Sequence, residues 1–136
     1  MVEKQKVYAS GKRKAAVAKA ILSEGKGKIT VNGQDYKNLE IFSRLKLEEP
    51  IRIAEHILGK ANFDIVATAR GGGEKGQIEA VRLSISKAII QFTKSEELKK
   101  AYLDYDRNLL VADVRRKETR KPGDSKARAK RQTSYR

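Results

Sequence analysis

The sequence predicts an α+β fold: a two-layer sandwich with helices on one face of a four-stranded sheet, followed by an extended basic C-terminal tail. Three observations predict it. Period-two apolar patterns crowd into the stretch from Val7 to Val31. Helical spacings of three and four dominate from Pro50 to Tyr105, interrupted by one more alternating run. Beyond Val114 the chain loses its apolar side chains while its cations multiply.

Val7 to Ser10 and Ala15 to Leu22 read as strands joined by a turn around Gly11. In the second, Val17, Lys19 and Ile21 alternate with Ala16, Ala18 and Ala20, so one face carries only small residues. Lys28 to Val31 makes a third strand, closed by the turn dipeptide Asn32-Gly33. Pro50 suits the first position of a helix, with Glu48 and Glu49 favourably placed before it and Gly59 as its stop. Its apolar side is Ile51, Ile53, Ala54, Ile57 and Leu58; Arg52, Glu55 and His56 lie opposite. Phe63 to Ala69 alternates again as a fourth strand. The longest helix runs from about Gly76 to Phe92 on the stripe Ile78, Val81, Ile85, Ala88, Ile89 and Phe92. A last helix follows Ser95, a good N-cap, with Leu98, Ala101, Tyr102 and Tyr105 on its buried side. Leu109, Leu110, Val111 and Val114 are left to form one more strand or to dock on the body.

Composition narrows the chemistry. The chain has 136 residues, room for one domain over residues 1–106 and a tail over residues 107–136. It has no cysteine and a single histidine, His56, which rules out disulfides, thiol catalysis and cysteine- or histidine-cluster metal sites. No apolar run approaches the roughly 18–20 residues of a membrane span, and no secretory signal pattern opens the chain, so a soluble, cytoplasmic protein is expected. The net charge is +14. Eleven basic residues against three acids put +8 of it in residues 107–136, while twenty against fourteen leave +6 for the rest. Such a balance speaks of partners, with nucleic acid ahead of an anionic membrane surface. A tail with so little to bury does not fold alone.

Three constellations carry candidate function. Gly11-Lys12-Arg13-Lys14 places three cations on a tight turn, where they project together; alone this is also an ordinary charged hairpin, but beside the tail it favours phosphate contact. Arg70-Gly71-Gly72-Gly73-Glu74-Lys75-Gly76 leads from a strand into a helix, where glycines let backbone N–H groups approach an anion. That loop raises a nucleotide-binding enzyme as an alternative. Its spacing matches neither nucleotide-binding fingerprint, and no Ser or Thr stands ready for magnesium, so RNA phosphates suit it better and no cofactor is expected. The third is the tail: Arg115, Arg116, Lys117, Arg120, Lys121, Lys126, Arg128, Lys130 and Arg131, then Ser134, Tyr135 and Arg136. Its cations alternate with small residues that keep the chain thin, and Arg136, as the last residue, is expected to enter a narrow site unobstructed. Guanidinium groups bind phosphates bidentately and stack on bases. A chromatin-like DNA binder is the further alternative that charge alone leaves open.

These segments resemble the ninth ribosomal protein family of the small subunit over nearly the whole chain. Tyr8 to Ala18 looks like the family's N-terminal segment; Gly71-Gly72-Gly73, Gly76-Gln77, Arg82, Ile85, Ser86 and Ala88 look like its central signature; Lys126-Ala127-Arg128, Gln132, Ser134 and Arg136 look like its ending. Tyr105-Asp106-Arg107, Leu109 to Asp113 and the final Ser134-Tyr135-Arg136 resemble the archaeal and eukaryotic branch, and the short cysteine-free chain leans archaeal. The resemblance implies a left-handed βαβ crossover and a non-catalytic place in the head of the small subunit, among neighbouring ribosomal proteins. It implies small-subunit rRNA as partner for the body and for the threading cations Arg128, Lys130 and Arg131. It also implies that Ser134, Tyr135 and Arg136 reach the anticodon stem-loop of P-site tRNA.

Overall fold

Alanine at every second position lets a sheet and its covering helix approach closely, and this packing organises the protein. The computed structural model describes residues 5–60, 62–120 and 122. Strands β1 (Lys6–Arg13) and β2 (Ala16–Glu24) form an antiparallel hairpin, Arg13 opposite Ala16 and Lys6 opposite Ser23. β3 (Ile29–Val31) and the short β4 (Gln34–Asp35) make a second hairpin around Asn32-Gly33. Then come α1 (Ile41–Leu58), β5 (Phe63–Arg70), α2 (Glu74–Thr93) and α3 (Glu96–Tyr105), with single 3-10 turns at Tyr36–Asn38 and Arg107–Leu109.

The sheet order is β1-β2-β5-β3-β4. β5 pairs antiparallel with β2 and parallel with β3, so the connection from β3 through α1 to β5 is a βαβ crossover. The four expected strands are joined by β4, whose two residues are too short to show a period of their own. Ala16, Ala18, Ala20 and Leu22 on β2, with Phe63, Ile65, Ala67 and Ala69 on β5, are buried beneath α2. β1 comes so close to α2 that a Cβ added at Gly11 would lie 2.4 Å from the Ala80 carbonyl oxygen. Only glycine fits there. Among the described residues no helix covers the opposite face of the sheet, where Tyr8, Val17, Ile21 and Val66 are exposed.

α2 is the central element, burying Ile78, Val81, Ile85, Ala88 and Ile89 as its spacing predicts, and also Ala80, Leu83, Ser84 and Ser86. The two serines donate back to the carbonyls of Val81 (2.8 Å) and Arg82 (2.9 Å), so their burial leaves no hydroxyl unpaired. Phe92 meets Phe63 edge-on at 5.4 Å. α1 packs on α2, and α3 on α1. Ser95 caps α3 by accepting from the Leu98 N–H, as expected, but Tyr105 is exposed rather than buried.

α1 begins nine residues before Pro50. Ile41 to Glu49 extend the helix with Leu47 fully buried, and Pro50 sits inside it. An internal proline removes one helical hydrogen bond. Here the site is enclosed by other elements, and the buried Tyr102 hydroxyl donates to the Pro50 carbonyl at 2.7 Å. Burial pushes the Tyr102 phenol above its ordinary range.

Candidate nucleic-acid interface

The turn between β1 and β2 and the loop between β5 and α2 meet because glycine allows it. Gly71 and Gly72 both have positive φ (77° and 61°). A Cβ on Gly71 would stand 2.6 Å from the Ala15 carbonyl oxygen, and one on Gly72 would stand 3.0 Å from the Ala16 nitrogen. The Gln77 side chain donates to the Gly71 carbonyl at 3.1 Å and fixes the loop on the first turn of α2. The glycines therefore serve the seating of one loop on another. Gly73 caps α2 without a side-chain hydrogen bond, and Glu74 follows in the first turn.

This junction forms one wall of an open cleft of about 910 Å³. Lys12, Arg13 and Lys14 line it from the turn, Gly72, Gly73 and Lys75 from the glycine loop, and Arg116 and Lys117 from the chain beyond α3. Three segments far apart in sequence thus supply one surface. Lys12, Lys14, Lys75, Arg116 and Lys117 are all exposed, against Glu74 and Glu79 on the same walls.

Arg13 behaves differently from its neighbours. Its side chain is only 15% exposed, with Nε 2.7 Å from Glu79 and Nη1 against the Asp113 carboxylate. Asp113 also accepts from Arg115, from its backbone N–H at 2.9 Å and its Nη2 at 2.7 Å. Those hydrogen bonds, the side-chain one foremost, hold the Asp113 carboxyl well below the usual carboxylate range, with the charges of Arg115 and Arg13 adding to them. Arg13 and Arg115 therefore tie the chain after α3 to the β1–β2 turn.

A second tie lies upstream. Arg82 on α2 bonds Glu49 at 2.5 Å and Asp106 at 3.3 Å. Between the two ties the 3-10 turn at Arg107–Leu109 seats Leu109 fully buried, and Leu110 packs against the core. Of the two roles open to this stretch, it docks and does not become a strand; Val114, 86% exposed, is released to solvent. Burying one leucine is worth roughly 2 kcal/mol. Ordering each residue costs roughly 1–2 kcal/mol. Leu109 alone does not hold so long a strap, and the ion pairs at both ends complete the attachment.

Of the residues expected at the interface, Arg70, Gly71 and Arg115 do not line the cleft; Arg70 lies at the end of β5 opposite Val17, and Arg115 is turned to Asp113. Arg120 is exposed beyond the cleft residues. Lys121, Lys126, Arg128, Lys130, Arg131, Ser134, Tyr135 and Arg136 lie outside the described residues. Sequence reasoning missed Glu79, Arg82, Asp106 and Asp113 as the residues that set the tail's exit. The signal available was weak: an isolated acid, Asp113, two residues before a run of cations. Among the described residues no group of His, Asp or Glu is placed to hold a metal, and no helix is long and apolar enough to cross a membrane. His56 is exposed on the polar side of α1.

Fold and site define a small basic α/β protein in which the β1–β2 turn, the glycine loop and the chain beyond α3 each bring cations to one cleft. The sequence matches the family described as Ribosomal protein S9/S16 over residues 11–136, and the chain belongs to that family. It is 44% identical over 133 residues to the small ribosomal subunit protein uS9 of Methanococcus vannielii, covering 96% of this chain and 98% of that one. The uS9 proteins of Methanothrix thermoacetophila (43%) and Thermoplasma volcanium (44%) are similar over the same shares of each chain. All three relatives are archaeal. This is a ribosomal protein of the small subunit, located in the cytoplasmic ribosome, and not an enzyme. The glycine loop's likeness to a nucleotide site is accordingly a matter of backbone shape.

Proposed function

We propose that the cleft grips phosphates of small-subunit rRNA and that the tail beyond it reaches the anticodon stem-loop of P-site tRNA. The carrying observation is the convergence of the β1–β2 turn, the glycine loop and the tail base on one cationic surface. Lys12, Lys14, Lys75, Arg116 and Lys117 supply point and planar charges for the backbone, and Arg13 positions the tail base instead of touching RNA. The body over residues 1–106 anchors the protein in the subunit head beside other ribosomal proteins. The tail over residues 107–136 is seated on the body as far as Asp113 and follows the RNA beyond it, with a favourable counterion-release term for each phosphate neutralised.

Along that tail Lys121, Lys126, Arg128, Lys130 and Arg131 follow rRNA, and Ser134, Tyr135 and Arg136 approach the tRNA. The test is tRNA dissociation from small subunits carrying a protein that lacks Ser134 to Arg136. Faster release of P-site tRNA from fully assembled subunits is expected. An unchanged rate rejects the tRNA role and leaves rRNA binding standing.

A further inference from the structure

The sheet's uncovered face is patterned in a way that solubility does not require. The strand registers align its outward side chains in rows across β1, β2 and β5. Lys12, Val17 and Arg70 form the row nearest the cleft; Ser10, Lys19 and Thr68 form the next; Tyr8, Ile21 and Val66 form the third. The first two rows hold three cations and two hydroxyls, and no acid occurs in any of the three. The third row is apolar yet open to solvent, with Tyr8 66%, Val66 52% and Ile21 36% exposed. Between them Val17, Lys19, Ile21, Val66, Thr68 and Arg70 line a shallow depression of about 380 Å³. Asp64, in the row beyond, turns its carboxylate to the backbone N–H groups of Lys26 and Lys28, each at 3.0 Å.

We propose that this face is a second RNA-contact surface that takes an unpaired segment, phosphates over Lys12, Arg70 and Lys19 and a base against Tyr8. The proposal rests on the reading of the cleft as an rRNA site and extends it. Two features favour RNA over a protein partner. The face runs into the cleft without a break: Lys12 belongs to both, and Arg70 immediately precedes the glycine loop. Lys12 and Arg70 also flank β2 at two strand spacings, about 10 Å, and Lys19 stands one strand across and two residues along from each, about 8 Å away. A flexible polyanion can meet that pattern, whereas a protein needs acids placed to match it. A tyrosine flanked by aliphatic side chains gives a base a stacking platform that tolerates any sequence.

The test uses the full chain assembled with small-subunit rRNA. A photo-crosslinking side chain is placed at Val66 in one preparation and at Lys75 in another. Both are expected to join RNA, Val66 at an unpaired nucleotide. Tyr8→Ala, a change on an exposed position, is expected to lower rRNA affinity about tenfold without lowering the melting temperature. Capture of RNA at Lys75 but of protein, or nothing, at Val66 overturns the sheet-face proposal and spares the cleft. Failure of both positions to capture RNA overturns the two together.

Discussion

Arg13 stands between Lys12 and Lys14 in sequence, yet only the two lysines face solvent. Residue type alone cannot separate them, because all three are cations on one turn. Burial separates them: Arg13 meets Glu79 and Asp113, both distant in the chain, and neither pairing leaves a mark in local sequence. Their consequences for binding differ accordingly. Lys12→Ala or Lys75→Ala is expected to reduce the salt dependence of rRNA binding by about 0.7–0.9 in log–log slope, the share of a single neutralised phosphate. Arg13→Ala is expected to leave that slope nearly unchanged and to speed amide hydrogen exchange at Leu109 to Asp113, where the strap loosens. An equal drop in slope for Arg13→Ala and Lys12→Ala would show Arg13 on the phosphates instead. Asp113 adds a pH dependence with a definite sign. Its folded pKa is depressed, so its contribution is fully present above the ordinary carboxylate range and is lost progressively as pH falls below that range toward the depressed value. Protection of the strap amides relative to the unfolded chain at the same pH should hold at pH 5 and fall in stronger acid; a loss already at pH 5 would mean that the bonds from Arg115 and Arg13 do not form in solution.

At the scale of elements, long periodic segments are legible in the sequence and irregular ones are not. α2 and the alternating strands follow their apolar spacing because each has one covered side. Local rules favour proline at a helix start, which places the beginning of α1 at Pro50. The helix continues upstream because Leu47 and its neighbours have tertiary partners, which outweigh one missing hydrogen bond. The glycine loop is legible as a loop, but its resemblance to a phosphate site hides a packing role. Gly71→Ala combines positive φ with a clash against Ala15 and is expected to cost more than about 1 kcal/mol in urea unfolding. Gly73→Ser meets nothing within 4 Å and provides an N-cap oxygen, so stability should hold or rise by roughly 0.5 kcal/mol. Equal destabilisation at both positions would contradict the loop-on-loop seating.

For the molecule as a whole, the division into a body that carries a core and a tail with few apolar residues and more than half of the net charge can be read from composition, because charge and hydrophobicity both change along the chain. How the tail leaves the body cannot. Its exit is set by ion pairs between residues dozens of positions apart, and by one leucine whose burial depends on a groove formed by other elements. The strap directs Arg116 and Lys117 into the same cleft as Lys12 and Lys75, joining body and tail into one cationic surface. The most direct measurement is the salt dependence of small-subunit rRNA binding, for the full chain and for a chain cut at Glu118. Removing the distal cations should flatten the slope by about 0.7 for every single-strand phosphate that they neutralise, while the cleft keeps residual affinity. A slope identical in the two chains would mean that the tail touches no phosphate.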